Sequence, residues 1–367
     1  MCGQTVNFIG FAPVERWERI LSESLRNIVS VKHGTNMYKN EKRCVPISSI
    51  WPLGDQELKI GILGMTEGNG HPYSWSAMYN GYDKDLMNKC PFAGIPAYLN
   101  KQPQKTIGIA GAHITHVFCN QRSDAEDVAR CSLIPNVVDR PEDMIGQVDA
   151  VICATDIGSE HISRCEPFLK AGIPMFIDKP LVDNEDDLRA FVRLRDEGAH
   201  FISSSSMRYV KSAEPYHEHH DELGKLMYIC QPMCKKWETY GIHALESIHP
   251  FLGHGFVSIQ NTGSYERNMI HITHESGCDV HIPLSAGMYG AFGKTLLIGS
   301  VSSVVIEDGD SYYAFKKQMD LFVRYLRTGV EPVAFEDTVE LMKLVIGGIQ
   351  SREQGGRKIL LSEILER

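Results

Sequence analysis

The 367-residue sequence has no run of 18 or more apolar residues, no paired CxxC arrays and no excess of positive charge. A helix that crosses a membrane needs about 20 apolar residues, so we expect no membrane span. The net charge of -9 offers no basic surface to a nucleic-acid backbone or an anionic membrane. The chain also does not begin with a basic segment followed by an apolar core, and we therefore expect a cytoplasmic protein.

Metal-binding patterns are scarce as well. The ten cysteines are scattered, and we expect them to be free thiols in a reducing compartment. His217, His219 and His220 lie in a charged run without a matching cluster elsewhere. Cys230 and Cys234 lie on one predicted strand, roughly 13 Å apart from the rise per residue, too far for one zinc ion. The sequence therefore predicts no metal site.

The composition is that of a globular enzyme, with 43% hydrophobic and 23% charged residues. Its length predicts at least two domains. Residues 1–57 form a predicted N-terminal extension, in which apolar residues between Trp17 and Val29 repeat with helical spacing. Three interpretations of this extension remain open: an accessory or capping segment, a start codon placed too far upstream, or an anchor for an oligomer.

From residue 58 onward, strands alternate with helices. Apolar runs predict strands at 58–64, 114–120, 149–155 and 173–177, and helices are predicted to begin at Asp124 and His161. Such alternation is typical of a parallel sheet with right-handed crossovers. We therefore predict a Rossmann-like α/β domain over residues 58–182, with its ligand at the carboxyl ends of the strands.

A glycine-rich segment follows the first of these strands. Gly64, Gly68 and Gly70 would let backbone amides approach a dinucleotide diphosphate at the start of a helix, although the spacing is less regular than GxGxxG. Asn120 ends the second strand, where NAD-binding proteins usually carry an acidic residue, and Arg122 follows. An amide does not repel a 2′-phosphate, so the cofactor is predicted to be NAD or NADP, with a weak preference for NADP.

Four separated segments carry a resemblance to a known family, the Gfo/Idh/MocA oxidoreductases of glucose–fructose oxidoreductase and inositol dehydrogenase type. Asp178-Lys179-Pro180-Leu181 resembles the family's Glu-Lys-Pro-Leu motif. The stretch from Thr155 to His161 resembles its Thr-Pro-Asn-x-x-His segment, one residue longer and without the proline. Residues 240–246 resemble Asp-x-Gly-x-His-x-x-Asp, and residues 350–361 resemble the closing helix and strand.

The resemblance implies roles for individual residues. Lys179 and His243 would be the catalytic pair beside the carbon that exchanges a hydride with the nicotinamide, and Thr155, His161 and Lys179 would contact the cofactor. The family's catalytic aspartate aligns with Thr239, which cannot ionise in the physiological range. The proton relay would then use Lys179, His243 and Tyr240, or redox chemistry would be weak.

Residues 183–367 are predicted to form an α+β domain that binds substrate. Short runs between 225 and 307 fit a mixed sheet, and helices return at 314–328 and 335–354. The resemblance implies an open-faced sheet that packs against another subunit, giving a dimer or tetramer. Candidate substrate contacts are Arg208, Tyr209, Tyr240 and Glu246.

The leading hypothesis is an NAD(P)-dependent oxidoreductase that acts on a hydroxyl or ketone of a sugar, a sugar derivative or a cyclitol. The predicted partner is thus a small polyhydroxylated molecule, not a nucleic acid or a membrane. Two alternatives stay open. One is a dinucleotide-binding sensor or scaffold with degenerate chemistry, and the other is a lyase or glycosidase that uses tightly bound NAD in transient redox.

Overall fold

The computed structural model describes residues 51–307 and 309–366. The predicted amphipathic helix in the N-terminal extension lies outside these residues. Within the described part of the chain, no helix is both long and apolar enough to cross a membrane. No group of three or more His, Cys, Asp and Glu side chains in those same residues is arranged to hold a metal ion.

The first sheet is parallel and has six strands in the order β3-β2-β1-β4-β5-β6. This order is that of a Rossmann fold, as predicted. Its strands are β1 (Leu58–Gly64), β2 (Ala112–Cys119), β3 (Asn136–Val137), β4 (Ala150–Cys153), β5 (Met175–Ile177) and β6 (Phe201–Ser203). Strand β3, with only two residues, was not predicted.

Helices cover both faces of this sheet, which explains why its strands are continuous apolar runs. Leu58, Ile60 and Ile62 of β1, for example, are completely buried. The helices of this region are α1 (His71–Asn80), α2 (Lys84–Met87), α3 (Gly94–Leu99), α4 (Arg122–Cys131), α5 (Gly158–Lys170) and α6 (Glu185–Asp196).

The short helix α7 (Glu214–Glu218) leads to a second, mixed sheet. Its order is β13-β12-β7-β11-β10-β9-β14, with β8 paired to β11. The strands are β7 (Leu226–Cys230), β8 (Met233–Cys234), β9 (Phe256–Asn261), β10 (Arg267–His274), β11 (Asp279–Ser285), β12 (Lys294–Gly299), β13 (Ser303–Glu307) and β14 (Ile359–Leu360). Strand β11 runs parallel to β7 and β8, and the other pairs are antiparallel.

One face of the second sheet is covered and the other is open. Helix α8 (Trp237–Leu252) lies under the sheet, and the Trp237 indole Nε1 donates to the Val345 carbonyl of a later helix at 2.9 Å. On the opposite face, Met269 and Val305 are about half exposed, at 49% and 57%. The predicted two-part architecture, a Rossmann domain followed by an open-faced mixed sheet, is therefore confirmed.

The last two helices divide between the sheets. Helix α9 (Ser311–Thr328) packs on the first sheet, where Phe322 meets Phe176 of β5 with ring centroids 5.7 Å apart. Helix α10 (Phe335–Glu353) packs with α8 beneath the second sheet. The predicted domain boundary at residue 182 stays a prediction. Strand β6 and helix α9 follow this residue in the chain, and both pack in the layers of the first sheet.

Candidate active site

A cavity of about 330 Å³ lies at the carboxyl ends of the first sheet's strands. Its wall includes Gly68, Gly70 and His71, which join β1 to α1, and Lys179, which follows β5. Tyr240 and His243 of α8 form another part of the wall. The region at the start of α9 and the loop after β11 complete it, with Phe315 and Phe292 as aromatic members.

Lys179 is the central cation of this wall and is only 3% exposed. Its Nζ lies 3.6 Å from Oδ2 of Asp156 and 5.3 Å from the centroid of the Tyr240 ring. The Thr66 hydroxyl donates to the other carboxylate oxygen of Asp156 at 2.5 Å. Burial raises the pKa of Asp156, but the Lys179 charge and the Thr66 hydrogen bond outweigh burial and leave that pKa below its usual value.

Asp178 lies directly before Lys179 but faces a different set of partners. Its Oδ2 lies 2.6 Å from Nδ1 of His71 and accepts a hydrogen bond from Asn69 at 3.3 Å. Its Oδ1 accepts from the Lys179 backbone N–H at 2.7 Å. Asp178 is 1% exposed, and these bonds satisfy its buried carboxylate while they orient the His71 ring in the cavity wall.

His243 is held as a neutral ring. Burial, together with the nearby charges of Lys179, His71 and Lys235, keeps its pKa well below the usual value for histidine. Its Nδ1 lies 2.6 Å from the Ser205 hydroxyl, which already accepts a hydrogen bond from the Met207 N–H. This contact with Ser205 fixes the orientation of the His243 ring in the cavity wall.

Tyr240 is a proton donor in this cavity at neutral pH. Burial raises the pKa of its phenol to about 12, although the Lys179 charge opposes the rise. The Nζ atom of Lys235 lies 4.2 Å from the Tyr240 ring centroid, on the same ring that Lys179 approaches. Two ammonium groups therefore share one aromatic ring, a favourable contact with the negative face of its π system.

The glycine-rich segment fits the diphosphate of a dinucleotide. A Cβ on Gly70 would lie 2.6 Å from the Phe92 ring and 2.7 Å from Ile95, so the backbone there runs against its neighbours without room for a side chain. Helix α1 starts at the next residue and carries no acidic residue in its first turn. A helix N-terminus without an acidic residue of its own favours an anionic group.

Residues 93–203 match the model of the GFO_IDH_MocA group, described as an oxidoreductase family with an NAD-binding Rossmann fold. Over these residues the match agrees with the resemblance to the Gfo/Idh/MocA oxidoreductases. The matched range contains Asn120, Thr155, His161 and Lys179 but begins after the glycine-rich segment, where the spacing is irregular. No curated protein matches the sequence.

Solved inositol dehydrogenases share the fold. The scyllo-inositol dehydrogenase from Lactobacillus casei gives a TM-score of 0.67 at 13% identity, over 84% of this chain and 100% of that chain. The myo-inositol 2-dehydrogenase from Lactobacillus plantarum gives 0.65 at 16% identity, over 83% and 99% of the two chains. The former has also been solved with NAD(H) and scyllo-inositol bound. At these identities the likeness establishes the shared Gfo/Idh/MocA fold.

Among the predicted substrate contacts, the structure brings only Tyr240 to the cavity wall. Arg208 and Glu246 form an ion pair with each other, and neither lines the cavity. The Tyr209 hydroxyl donates to Ser204 at 3.4 Å, and its ring is buried. Glu246 was predicted from a family segment, and Arg208 and Tyr209 from their place at the entrance of the second domain. Their side chains are directed into the protein interior, which a sequence does not reveal.

The predicted cofactor residues fall into two groups, those that line the cavity and those that do not. Gly68, Gly70 and Lys179 line the cavity, whereas Gly64, at the end of β1, does not. Thr155 is fully buried, and His161 lies with Nε2 2.8 Å from the Thr155 carbonyl and Nδ1 3.0 Å from the Leu181 carbonyl. His161 thus ties the end of β4 to the segment after Lys179.

Asn120 and Arg122 lie at the end of β2, away from the cavity wall. The amide oxygen of Asn120 accepts a hydrogen bond from Arg164 at 3.2 Å. Arg122 pairs with Glu126 at 3.0 Å and with Asp139. The guanidinium that suggested NADP is therefore already engaged by two carboxylates.

Asp156 and His71 are among the polar residues of the wall that were not predicted from the sequence. Asp156 follows Thr155 in a family segment, and His71 follows the glycine-rich segment, so their positions at strand ends were the available signal. His71 and its partner Asp178 are 107 residues apart in the chain, and Asp156 and its partner Lys179 follow two different strands. Only the strand order brings these pairs together.

Proposed function

We propose that this protein is an NAD-dependent dehydrogenase that transfers a hydride between nicotinamide and a hydroxyl-bearing carbon of a sugar, a sugar derivative or a cyclitol. The observation that carries the proposal is the convergence of Lys179, Tyr240 and His243 on one cavity with the glycine-rich segment. The family is described as an NAD-binding oxidoreductase family, and a fold neighbour binds NAD(H) together with an inositol.

The residues that would hold the cofactor are Gly68, Gly70 and the first turn of α1, for the diphosphate, with Lys179 nearer the reacting end. When bound, nicotinamide supplies the hydride acceptor or donor. The cavity wall would bind the substrate hydroxyls through the Tyr240 hydroxyl and the His243 ring, with Lys179 beside the reacting hydroxyl.

The proton of the reacting hydroxyl requires an acceptor as the carbon is oxidised. His243 is a poor acceptor because burial and neighbouring cations disfavour its charged form. We assign this role to Lys179, whose neutral amine takes the proton and becomes an ammonium. In the reverse direction the ammonium returns the proton to the oxygen of the ketone.

Activity on a panel of polyols tests the proposal. The purified full-length chain is supplied with NAD⁺ and myo-inositol, scyllo-inositol or simple sugars, and NADH is followed by absorbance. We expect turnover of at least one polyol and its loss in Lys179→Met, with NADH binding retained in a fluorescence titration. A Lys179→Met variant with full turnover would contradict the proposed role. Cofactor binding without turnover of any polyol would favour the sensor, and product without net NADH would favour a lyase.

We further propose that the open face of the second sheet packs on a second copy of this chain. Side chains directed to that face include Tyr228 and Met269, and His271 stacks on His281 with ring centroids 4.8 Å apart. An apolar surface of this kind, interrupted by polar rings, suits an interface between subunits.

A further inference from the structure

The segment that resembles the family's catalytic motif has no aspartate, but a carboxylate from another segment, Asp156, lines the cavity. Thr239 aligns with the family's catalytic aspartate, and Thr239 does not line the cavity. Its neighbour Glu238 points away and pairs with Arg352 of α10. Helix α8 therefore presents no carboxylate to Lys179 from either position.

On the opposite side, Asp156 follows β4 and reaches Lys179 directly. Its Oδ2 lies 3.6 Å from Nζ, and its side chain is 16% exposed within the cavity wall. The Thr66 hydroxyl holds the other oxygen, so the carboxylate has a fixed orientation. We infer that Asp156 replaces the missing carboxylate and acts as the positioning residue that stabilises the Lys179 ammonium, an inference that rests on the proposed dehydrogenase function.

Other carboxylates near the cavity are committed to different partners. Asp178 is bound by His71, Asn69 and the Lys179 backbone N–H, and it does not line the cavity. Asp310 lines the cavity but caps helix α9 by accepting from the Tyr313 N–H at 3.0 Å. Within the part of the chain that the structure describes, Lys179 Nζ forms its ion pair with Asp156.

Titratable groups surround Lys179 in the cavity. The titratable groups that line the cavity from the surrounding elements are His71 of α1, Tyr240 and His243 of α8, Tyr289 after β11 and Asp310 before α9. The Lys235 charge also acts on His243, although Lys235 does not line the cavity. Lys235 is a second cation beside the Tyr240 ring. Asp156 is the carboxylate that faces the Lys179 ammonium directly, at 3.6 Å.

The role in the reaction follows from the proton balance. When a substrate hydroxyl is oxidised, its carbon loses a hydride to the nicotinamide and its oxygen loses a proton to the Lys179 amine. The positive charge formed on Nζ then lies beside Asp156, which keeps its own negative charge. Asp156 lowers the energy of the ammonium without taking a proton itself, as a charge held close to a developing charge does.

Asp156→Asn tests this role by two measurements. The first is the pH profile of kcat/KM on an accepted polyol. An opposite charge at this distance shifts titration by about one to three pH units, so we expect the limb governed by Lys179 to move at least about one unit to lower pH. Thr66→Val, which removes the hydrogen bond but keeps the charge, should leave that limb near its wild-type position. Thr239→Ala should leave turnover unchanged.

The second measurement does not require turnover. The rate at which acetic anhydride acetylates Lys179 is followed at fixed pH by peptide mass spectrometry. We expect an increase of at least about tenfold in Asp156→Asn, because a shift of one pH unit leaves about ten times more of the amine neutral. Asp310→Asn removes a charge from the same cavity and should cause a smaller change.

The two measurements separate the possible failures. An unchanged acetylation rate and an unchanged pH limb in Asp156→Asn, with weaker NADH binding alone, would make Asp156 a cofactor contact and overturn the inference. If the wild type turns over no polyol, the dehydrogenase proposal fails, while the acetylation rate still decides whether Asp156 stabilises the Lys179 charge.

Discussion

Arg208 and Glu246 form an ion pair behind the candidate active site, where their side chains are only 11% and 3% exposed. Arg208 also donates from Nη1 to Nδ1 of His249 at 3.2 Å. Burial raises the pKa of Glu246, and the Arg208 charge opposes that rise. The pair joins the segment after β6 to helix α8, the helix that carries Tyr240 and His243, so it fixes the cavity wall from behind.

Arg208→Met is expected to destabilise the protein by about 3–5 kcal/mol at pH 8, because a buried carboxylate loses its partner. A carboxyl with a raised folded-state pKa is tolerated below its unfolded-state pKa and penalised as pH rises through the folded value. The loss in unfolding free energy, measured with urea, should therefore be smaller at pH 5 than at pH 8. A loss that is equal at both pH values would contradict this account of Glu246.

His249 is expected to make stability depend on pH. Burial, followed by the Arg208 charge, lowers its pKa to about 4. Since its folded-state pKa lies below the unfolded value, the unfolded chain binds more protons, and stability is lost as pH falls from about 6.5 toward 4. At pH 5 the loss from this group is about 2 kcal/mol relative to neutral pH.

Urea unfolding of His249→Gln at pH 7 and pH 5 tests whether His249 causes the loss of stability at low pH. The variant should lose less stability than the wild type between the two pH values, whatever its packing costs at both. His113→Gln is the control, because His113 is about half exposed beside Glu57. If the wild type and His249→Gln respond equally to pH, His249 is not the group responsible.

The fold could be predicted because the sequence shows the hydrophobic patterns of its strands and helices. Strands β1, β2, β4 and β5 are apolar runs, and the helices between them repeat with helical spacing. The two-residue strand β3 carries too little pattern to be predicted. Strand ends were placed within about two residues, which is the usual uncertainty of helix and strand limits.

The site was predictable only in part. Lys179, Tyr240, His243, Gly68 and Gly70 line the cavity, and short motifs pointed to them. Whether a side chain enters the cavity depends on packing between distant segments. The sequence therefore could not tell that Glu246 meets Arg208, or that Asp156 meets Lys179.

The residues that follow β2 predict which cofactor, NADH or NADPH, binds more tightly. Arg122 is held by Glu126 and Asp139, and a 2′-phosphate would have to approach these carboxylates. We therefore expect NADH to bind more tightly than NADPH in fluorescence titrations at one fixed ionic strength. Replacing both acids, Glu126→Gln with Asp139→Asn, should improve NADPH binding several-fold and leave NADH binding unchanged. Tighter binding of NADPH by the wild type would reverse this preference.

The proposed contact between two copies predicts that Met269→Glu yields a smaller species. Met269 is 49% exposed in β10, so the charge is tolerated in the monomer but not in a buried interface. Size-exclusion chromatography with light scattering gives the mass. Val301→Glu is the matched control, because Val301 is 77% exposed in the turn between β12 and β13. A wild-type mass of one chain would exclude the proposed interface.

Gly348 in α10 lies against Trp237 of α8 so closely that no side chain fits. A Cβ at this position would be 2.4 Å from the indole Nε1, the atom that donates to the Val345 carbonyl. Gly348→Ala must therefore displace the indole or separate the two helices, at a cost of about 1–3 kcal/mol in unfolding free energy. Gly94→Ala is the control, because a Cβ at Gly94 has no atom within 4 Å. Both variants add one methyl group to a helical glycine, Gly348 in the interior of α10 and Gly94 at the first residue of α3. A lower urea midpoint for Gly348→Ala than for Gly94→Ala therefore reports the close approach of α8 and α10. Since α8 carries His243, the Gly348→Ala variant should also lose turnover on its polyol, while Gly94→Ala should retain it.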